Sequence, residues 1–378
     1  MLPSLLALLP HGAAPLAGFA GLCAAGLALV DPPYDFSALR RPAAILCALA
    51  VWGGLSATWS IDPWRSLILD LRLAGLFSVA LALAAASSRI AAPRRLALFF
   101  AAGTALGIVL AICDLAGAGS LSHYVSIRPF MAWRLNQIAA WLALILLPAC
   151  ALLVCRGQRL LALGAAAAMV AMVYALADTT AKLAFGASLP MAALVYFRRG
   201  AVCRIAAALA IFAILSAPVT LPRLAHLPSV FATVDAFKGS AGHRLLIWSF
   251  TGARIAERPI AGWGLDSARA IPGGKVEIRP GQAALPLHPH DAALQVWLEL
   301  GFPGAGLFAL LVGLLWLRLG EAPWPRLYAA AAGGSLFAAT AIALSAWGIW
   351  QEWWLGTLAL ALFATMVMAR EAGATPPP

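Results

Sequence analysis

Charge is what this chain has least of. Only 11% of its 378 residues are Asp, Glu, Lys or Arg, against about 25% in an ordinary soluble domain. With 63% hydrophobic residues and a mean hydropathy of +0.89, that scarcity excludes a soluble globular enzyme and points to a polytopic membrane protein. Backbone groups in lipid must be satisfied internally, which favours helices as the spanning elements. Basic residues are absent from the first stretch of the chain, where Arg40 is the first Lys or Arg, so a cleaved signal peptide is not expected. The six cysteines (Cys23, Cys47, Cys113, Cys150, Cys155, Cys203) lie in or beside apolar runs without C-x-x-C spacing, and read as small packing residues. No basic cluster is interleaved with exposed aromatics on a soluble module, so the net charge of +11 is not a nucleic-acid footprint. Internal repeats, and the matched broken helices of an inverted-repeat transporter, are not evident either.

What is there is a series of apolar runs, and a span needs about 20 apolar residues. Eleven runs stand near residues 14–30, 42–58, 66–86, 96–113, 137–155, 160–177, 183–197, 205–219, 293–316, 327–346 and 353–369. Residues 2–9 offer a short twelfth, so 2–30 hold one span or two. Thirteen Lys and Arg fall in one alternating set of short loops and the tail, and four in the other set, which by the positive-inside rule places the first set in the cytoplasm. The expected organisation is N-terminal spans over 1–219, one long outer loop over 220–292, C-terminal spans over 293–370, and a disordered tail at 371–378. The outer loop is expected to contain short helices, among them an amphipathic one over 243–257 that stops before Pro259.

Ionisable groups at the edges of spans are functional candidates by default. His288-Pro289-His290-Asp291 is a polar turn directly before a long apolar run, which puts two histidines where water meets lipid. Three readings stand for them: an inert interfacial pair, a metal pair lacking any H-E-x-x-H or cysteine partners, or a general base whose tautomer is set by the other His or by Asp291. Arg244 sits near the start of the amphipathic helix and binds either a phosphate or a lipid headgroup. Asp178-Thr179-Thr180-Ala181-Lys182 is a polar patch in which Lys182 either snorkels or contacts phosphate. Arg128, Arg134 and Asn136 form another outer entrance. Asp70 and Arg72 do not face each other on a helix and need separate partners. Cations gathered beside a titratable base suit a phosphorylated lipid, since arginine pairs with phosphate oxygens and stabilises a leaving pyrophosphate.

Three stretches together resemble the O-antigen ligase family, within the wider superfamily of ligases and polymerases of bacterial surface polysaccharides. His288-Pro289-His290-Asp291, followed by Leu294-Gln295, Glu299-Leu300-Gly301 and Gly304, is similar to that family's HxHN…LQ…ELGxxG pattern. Arg244 and Trp248, followed by Glu257, Pro259, Gly262 and Gly264, resemble its R…W…E.P..G.G. Ser345 to Trp354 resembles a late-span signature, and Trp59-Ser60-Ile61-Asp62-Pro63 is a weaker echo. Two departures stand out: the family has Asn where this chain has Asp291, and Ser-Arg where it has Ala181-Lys182, which keeps a charge but loses the bidentate fork.

The resemblance implies an all-α membrane glycosyltransferase of the GT-C type, with about 11–12 transmembrane helices in the bacterial inner membrane and its site facing the periplasm. It implies a glycan on undecaprenyl pyrophosphate as donor, and lipid A–core or another lipid-linked glycan as acceptor, with no cofactor and no metal. Transfer is expected to invert the anomeric carbon. His290 is expected as base, His288 and Asp291 as its supports, and Arg244, Lys182 and Arg134 as pyrophosphate ligands. A related polymerase is the alternative enzyme reading, and a transporter of lipid-linked sugars the alternative from another class.

Overall fold

The computed structural model describes residues 12–30, 37–89, 93–117 and 135–373. Helices follow the apolar runs: α1 (Ala13–Val30), α2 (Arg40–Ser56), α3 (Pro63–Ser87), α4 (Pro93–Ala116), α5 (Asn136–Cys155) and α6 (Arg159–Ala175). α7 (Thr179–Ala225) holds two of the expected runs in 47 residues, with a kink at Arg198 where the backbone leaves helical geometry. Two short helices, α8 (Pro228–Phe237) and α9 (Gly239–Glu257), precede a small antiparallel ribbon of β1 (Glu277–Arg279) and β2 (Gln282–Ala283). The chain then runs through α10 (Ala292–Glu321), α11 (Arg326–Ala343) and α12 (Glu352–Gly373).

Several expected boundaries move. The supposed loop at 198–204 is helical apart from the kink at Arg198, and the next residue, Arg199, donates to the Leu319 carbonyl at 2.7 and 2.9 Å. α7 continues past Pro218 and Pro222 to Ala225, so the first residues of the expected loop at 220–292 are helical. Residues 371–373 are still helical, so the tail is shorter than expected; 374–378 lie outside the described residues, as does the apolar run at 2–9. The amphipathic helix ends at Glu257 as expected and begins earlier, at Gly239.

Among the described residues, α3, α5, α7, α10 and α12 are long and apolar enough to cross a membrane by length and composition. Large apolar side chains such as Leu22, Leu71, Phe99, Leu160 and Phe212 stand exposed along the helices, a surface that water would not tolerate but lipid tails cover. The protein is an all-α, multi-pass membrane protein. α7 packs against both α10 and α11 at its centre, where Trp141, Trp316, Trp354 and Tyr328 are fully buried.

One end of the bundle is built for polar business. Three helices begin there on aspartate caps: Asp62 accepts the Arg65 N–H at 3.3 Å, Asp178 that of Ala181 at 3.0 Å, and Asp291 that of Leu294 at 2.7 Å. Each satisfies a backbone donor that a helix start leaves open. Arg72 finds Glu352 at 2.9 Å, while Asp70 lies against Gly53 and Gly54 of α2, so the two residues do have separate surroundings.

The segment after α9 locks into a break in α10. Gly301 has φ 62°, and around it Trp263 N–H donates to the Leu298 carbonyl at 2.9 Å, Gly264 N–H to Glu299 at 2.8 Å, and Phe302 N–H to Pro259 at 2.9 Å. A Cβ on Gly301 would overlap the Ile260 carbonyl, and one on Gly262 (φ 69°) the Glu299 carbonyl. The opposite side is gripped by the turn before α3 and by its first turn: Trp59 Nε1 donates to Ala261 at 3.1 Å and Ser66 Oγ to Leu265 at 2.6 Å. Both the left-handed φ and the backbone contact exclude a side chain here. Gly262→Ala or Gly301→Ala is therefore expected to destabilise the protein by about 3 kcal/mol or more, read as a large fall in thermal midpoint in detergent; a variant melting like wild type would refute the interlock.

Candidate functional site

The His288–Asp291 turn is held from two sides and by a bond of its own. Trp248 of α9 donates from Nε1 to the Pro289 carbonyl at 3.0 Å. His290 Nδ1 lies 2.7 Å from the Ala346 carbonyl beyond α11. A carbonyl only accepts, so Nδ1 carries the ring proton and Nε2 keeps a lone pair. His288 Nδ1 accepts the His290 backbone N–H at 3.2 Å, which makes His288 a brace for the backbone rather than for the ring of its neighbour. The two rings sit 4.3 Å apart, tilted. His290 takes a left-handed backbone, φ 58°, a conformation uncommon outside glycine and held here by those contacts.

Burial lowers the pKa of both histidines, to about 3 for His288 and about 4 for His290, and the positive charge of Arg244 pushes each the same way. Both rings are thus neutral near pH 7, and His290 presents an unprotonated Nε2. Asp291 moves the other way: burial raises its carboxyl to about 7, against the pull of the Leu294 and Ala293 N–H groups. It caps α10 and is not the group that orients His290; the Ala346 carbonyl does that.

Behind the turn, Gln295 and Glu299 tie the three motif stretches together. Gln295 Oε1 accepts the Ile349 N–H at 3.0 Å, and its amide donates to Glu299 Oε1 at 3.2 Å. Glu299 Oε2 accepts Trp350 Nε1 at 2.6 Å and the Asp266 N–H at 2.7 Å. Sequence reading placed both residues within a motif but gave them no work.

His290 lines a cavity of about 540 Å³. The start of α7 contributes Asp178, Thr179 and Thr180, α9 contributes Arg244 and the preceding Lys238, and Ala346 and Trp347 close another wall; Leu183 and Phe337 are among its apolar parts. Arg244 Nη1 donates to the Ser345 carbonyl at 2.5 Å. Its burial lowers its pKa, and the nearby Asp178 charge offsets part of that. Lys238 Nζ donates to Thr179 Oγ1 at 2.8 Å.

The structure therefore brings His290 and Arg244 to one cavity, with His288 and Asp291 behind the former. It does not bring Lys182 there. Thr180, Leu183, Ala184 and Ala187 line the cavity, and at 3.6 residues per turn Lys182 points to the other side of α7. Lys238 is the lysine that lines the cavity, and nothing in its local sequence separates it from the other cations of residues 220–292. Arg134 lies outside the described residues; its neighbour Asn136 lines the cavity. Among the described residues, no group of three or more His, Cys, Asp or Glu is placed to hold a metal.

Residues 164–309 match a family model described as O-antigen ligase. A protein named "putative polysaccharide ligase" from Rickettsia conorii is 35% identical over 126 residues, and one of the same name from Rickettsia prowazekii 36% over 124 residues. Each alignment covers 32% of this chain and 30% of the relative. A "putative polysaccharide ligase" from Rickettsia bellii is 29% identical over 160 residues, 40% of this chain and 39% of that protein. The chain thus matches well under half the length of these relatives.

Because the folded carboxyl of Asp291 titrates near 7 and an unfolded one near 3.9, the folded state holds a proton that the unfolded state has lost. Its contribution to stability is complete below about pH 4 and is lost as pH rises through about 7. Asp291→Asn keeps the cap oxygen and removes the titration. The thermal midpoint of the variant relative to wild type is expected to climb steadily over that window; a constant difference would show that Asp291 is already ionised in the fold.

Proposed function

We propose that this chain, whose residues 164–309 match the O-antigen ligase family model, is a membrane glycosyltransferase that moves a glycan from undecaprenyl pyrophosphate to a sugar hydroxyl of lipid A–core. The observation that carries this reading is the unprotonated His290 Nε2 on the same cavity as Arg244 and Lys238. A base for a hydroxyl and two cations for a pyrophosphate are the two halves of one displacement. The apolar wall formed by Leu183 and Phe337 suits the first units of a polyprenyl chain.

In the proposed step the acceptor oxygen attacks the anomeric carbon while the bond from that carbon to the pyrophosphate oxygen breaks. His290 Nε2 takes the hydroxyl proton, and its Nδ1–H bond to Ala346 stabilises the ring as it becomes charged. The electron pair leaves on undecaprenyl pyrophosphate, where Arg244 and Lys238 balance the growing negative charge. One displacement inverts the anomeric centre. The chemistry proposed for these residues uses no metal. The arginine-rich end (Arg156, Arg159, Arg198, Arg199, Arg326) would face the cytoplasm and the cavity the periplasm of the inner membrane.

Purified protein in detergent, given an undecaprenyl-pyrophosphate glycan, EDTA and either lipid A–core or a second lipid-linked glycan, tests this directly. Product on lipid A–core is the expected result; ladders on the lipid carrier alone would make the protein a polymerase, and no transfer to either acceptor would leave transport as the reading. His290→Ala is expected to lower turnover by about 100- to 10,000-fold, and near-normal turnover would remove the base assignment. Lys238→Ala is expected to cost about 10- to 100-fold, while Lys182→Ala stays close to wild type; the reverse order would overturn the placement of the two lysines. With the His290 pKa near 4, activity should remain flat as pH falls from neutrality to about 5, whereas a drop centred near 6.5 would mean an exposed base.

A further inference from the structure

Asp178 is buried more deeply than a helix cap requires. Its side chain is 7% exposed, and Oδ1 alone performs the capping by accepting the Ala181 N–H at 3.0 Å. Oδ2 is shut away from bulk water and has no hydrogen-bond partner among the described residues. Yet the residue lines the same cavity as Arg244, Lys238 and His290. The charges of Arg244 and Lys238 act on it, but their hydrogen bonds go elsewhere, Lys238 Nζ to Thr179 Oγ1 and Arg244 Nη1 to the Ser345 carbonyl. An oxygen that accepts strongly and is left empty in a buried place is costly, and a cap by itself would be served as well by Asn or Ser.

A carboxylate in this position opposes the anionic part of a donor, because it cancels part of the field of the two cations. Its chemical match is the neutral part of the substrate, which carries hydrogen-bond donors. We propose that Asp178 is a sugar-binding residue whose Oδ2 accepts a hydrogen bond from a hydroxyl of a glycan seated in the cavity. The inference rests on the reading of the cavity as a site of glycosyl transfer, and it names the part of the substrate that the base and the cations do not hold. Two fixed points, the pyrophosphate on Arg244 and a ring hydroxyl on Asp178, orient a sugar in a way that either alone does not. They also reject a sugar that presents no donor at that position, since the buried oxygen would then stay unpaired.

Asp178→Asn keeps the cap oxygen but places an amide N–H₂, a donor, where Oδ2 accepts. Asp178→Ser keeps a cap and removes the second oxygen. Both are to be compared with wild type in full-length protein in detergent, by transfer kinetics with each substrate varied in turn and by calorimetric binding of inorganic pyrophosphate. The expected result is a fall in transfer of about 10- to 100-fold in both variants, with pyrophosphate bound as tightly as in wild type or more tightly. A raised KM for the acceptor identifies the contacted hydroxyl as the acceptor's, and a raised KM for the donor glycan as the donor's. Unchanged transfer in both variants overturns the proposal, as does faster transfer with tighter pyrophosphate binding, which would make the carboxylate only a counterweight to the cations. Loss of pyrophosphate binding along with transfer would also overturn it, since Asp178 would then be organising the anion site. Failure of wild type itself to transfer a glycan would defeat the underlying reading of function and is recognised before any variant is compared.

Discussion

Everything at the site end of this protein hangs on a break in α10. At Gly301 the helix opens, and the segment from Pro259 to Gly264 enters with its own backbone N–H and C=O groups to replace the hydrogen bonds that the break removes. A chain inside or beside a membrane has no water to complete such an exchange, so the partners have to be protein. Glycine at 262, 264 and 301 is the condition for the approach, because each takes a positive φ and each would drive a Cβ into a neighbouring chain. Glu299, two residues before Gly301, completes the joint by accepting from Asp266, Trp350 and Gln295. Segments drawn from before α3, after α9 and before α12 are thereby held around the start of α10.

That joint sets the positions of the groups on the cavity. The His288–Asp291 turn is the last piece of chain before the part of α10 that the joint immobilises. Its histidines are pressed between Trp248 on one side and the Ala346 region on the other. The same burial that places the rings deprives them of charge: partial desolvation disfavours an imidazolium, and Arg244 adds a like charge nearby. The neutral ring that results is the form able to accept a proton. Burial acts on Asp291 in the opposite sense, favouring its protonated form, and in that state it resembles the asparagine that the family pattern carries at this position.

Much of this was legible in the residues. Eleven apolar runs became helices with little displacement, because a lipid-facing segment must be apolar over its whole length and must satisfy its own backbone. The end of α9 before Pro259 was readable for the same kind of local reason: proline cannot continue a helix. His290 and Arg244 were readable because ionisable groups beside spans are expensive and few. Lys182 misled because its charge and its place at a helix start were visible while its direction around the axis was not; a rotation of about half a turn separates it from Thr180 and Ala184, which do line the cavity. Lys238, far from Thr179 in sequence, reaches the cavity only because α9 folds back over the start of α7.

The amino-acid order by itself determined the class of the protein, the order of its helices, which end carries its basic residues, and the set of ionisable groups from which a site has to be drawn. Those follow from local hydrophobicity, turn chemistry and the cost of burying charge, all of which act over a few neighbouring residues. Tertiary structure alone decided which lysine shares a cavity with Arg244, that a backbone carbonyl at Ala346 rather than His288 or Asp291 sets the tautomer of His290, and that Asp178, on the cavity wall, keeps one buried oxygen without a partner. Each of these depends on contacts between residues distant in the chain, and on how a helix is rotated about its axis, which packing against its neighbours sets.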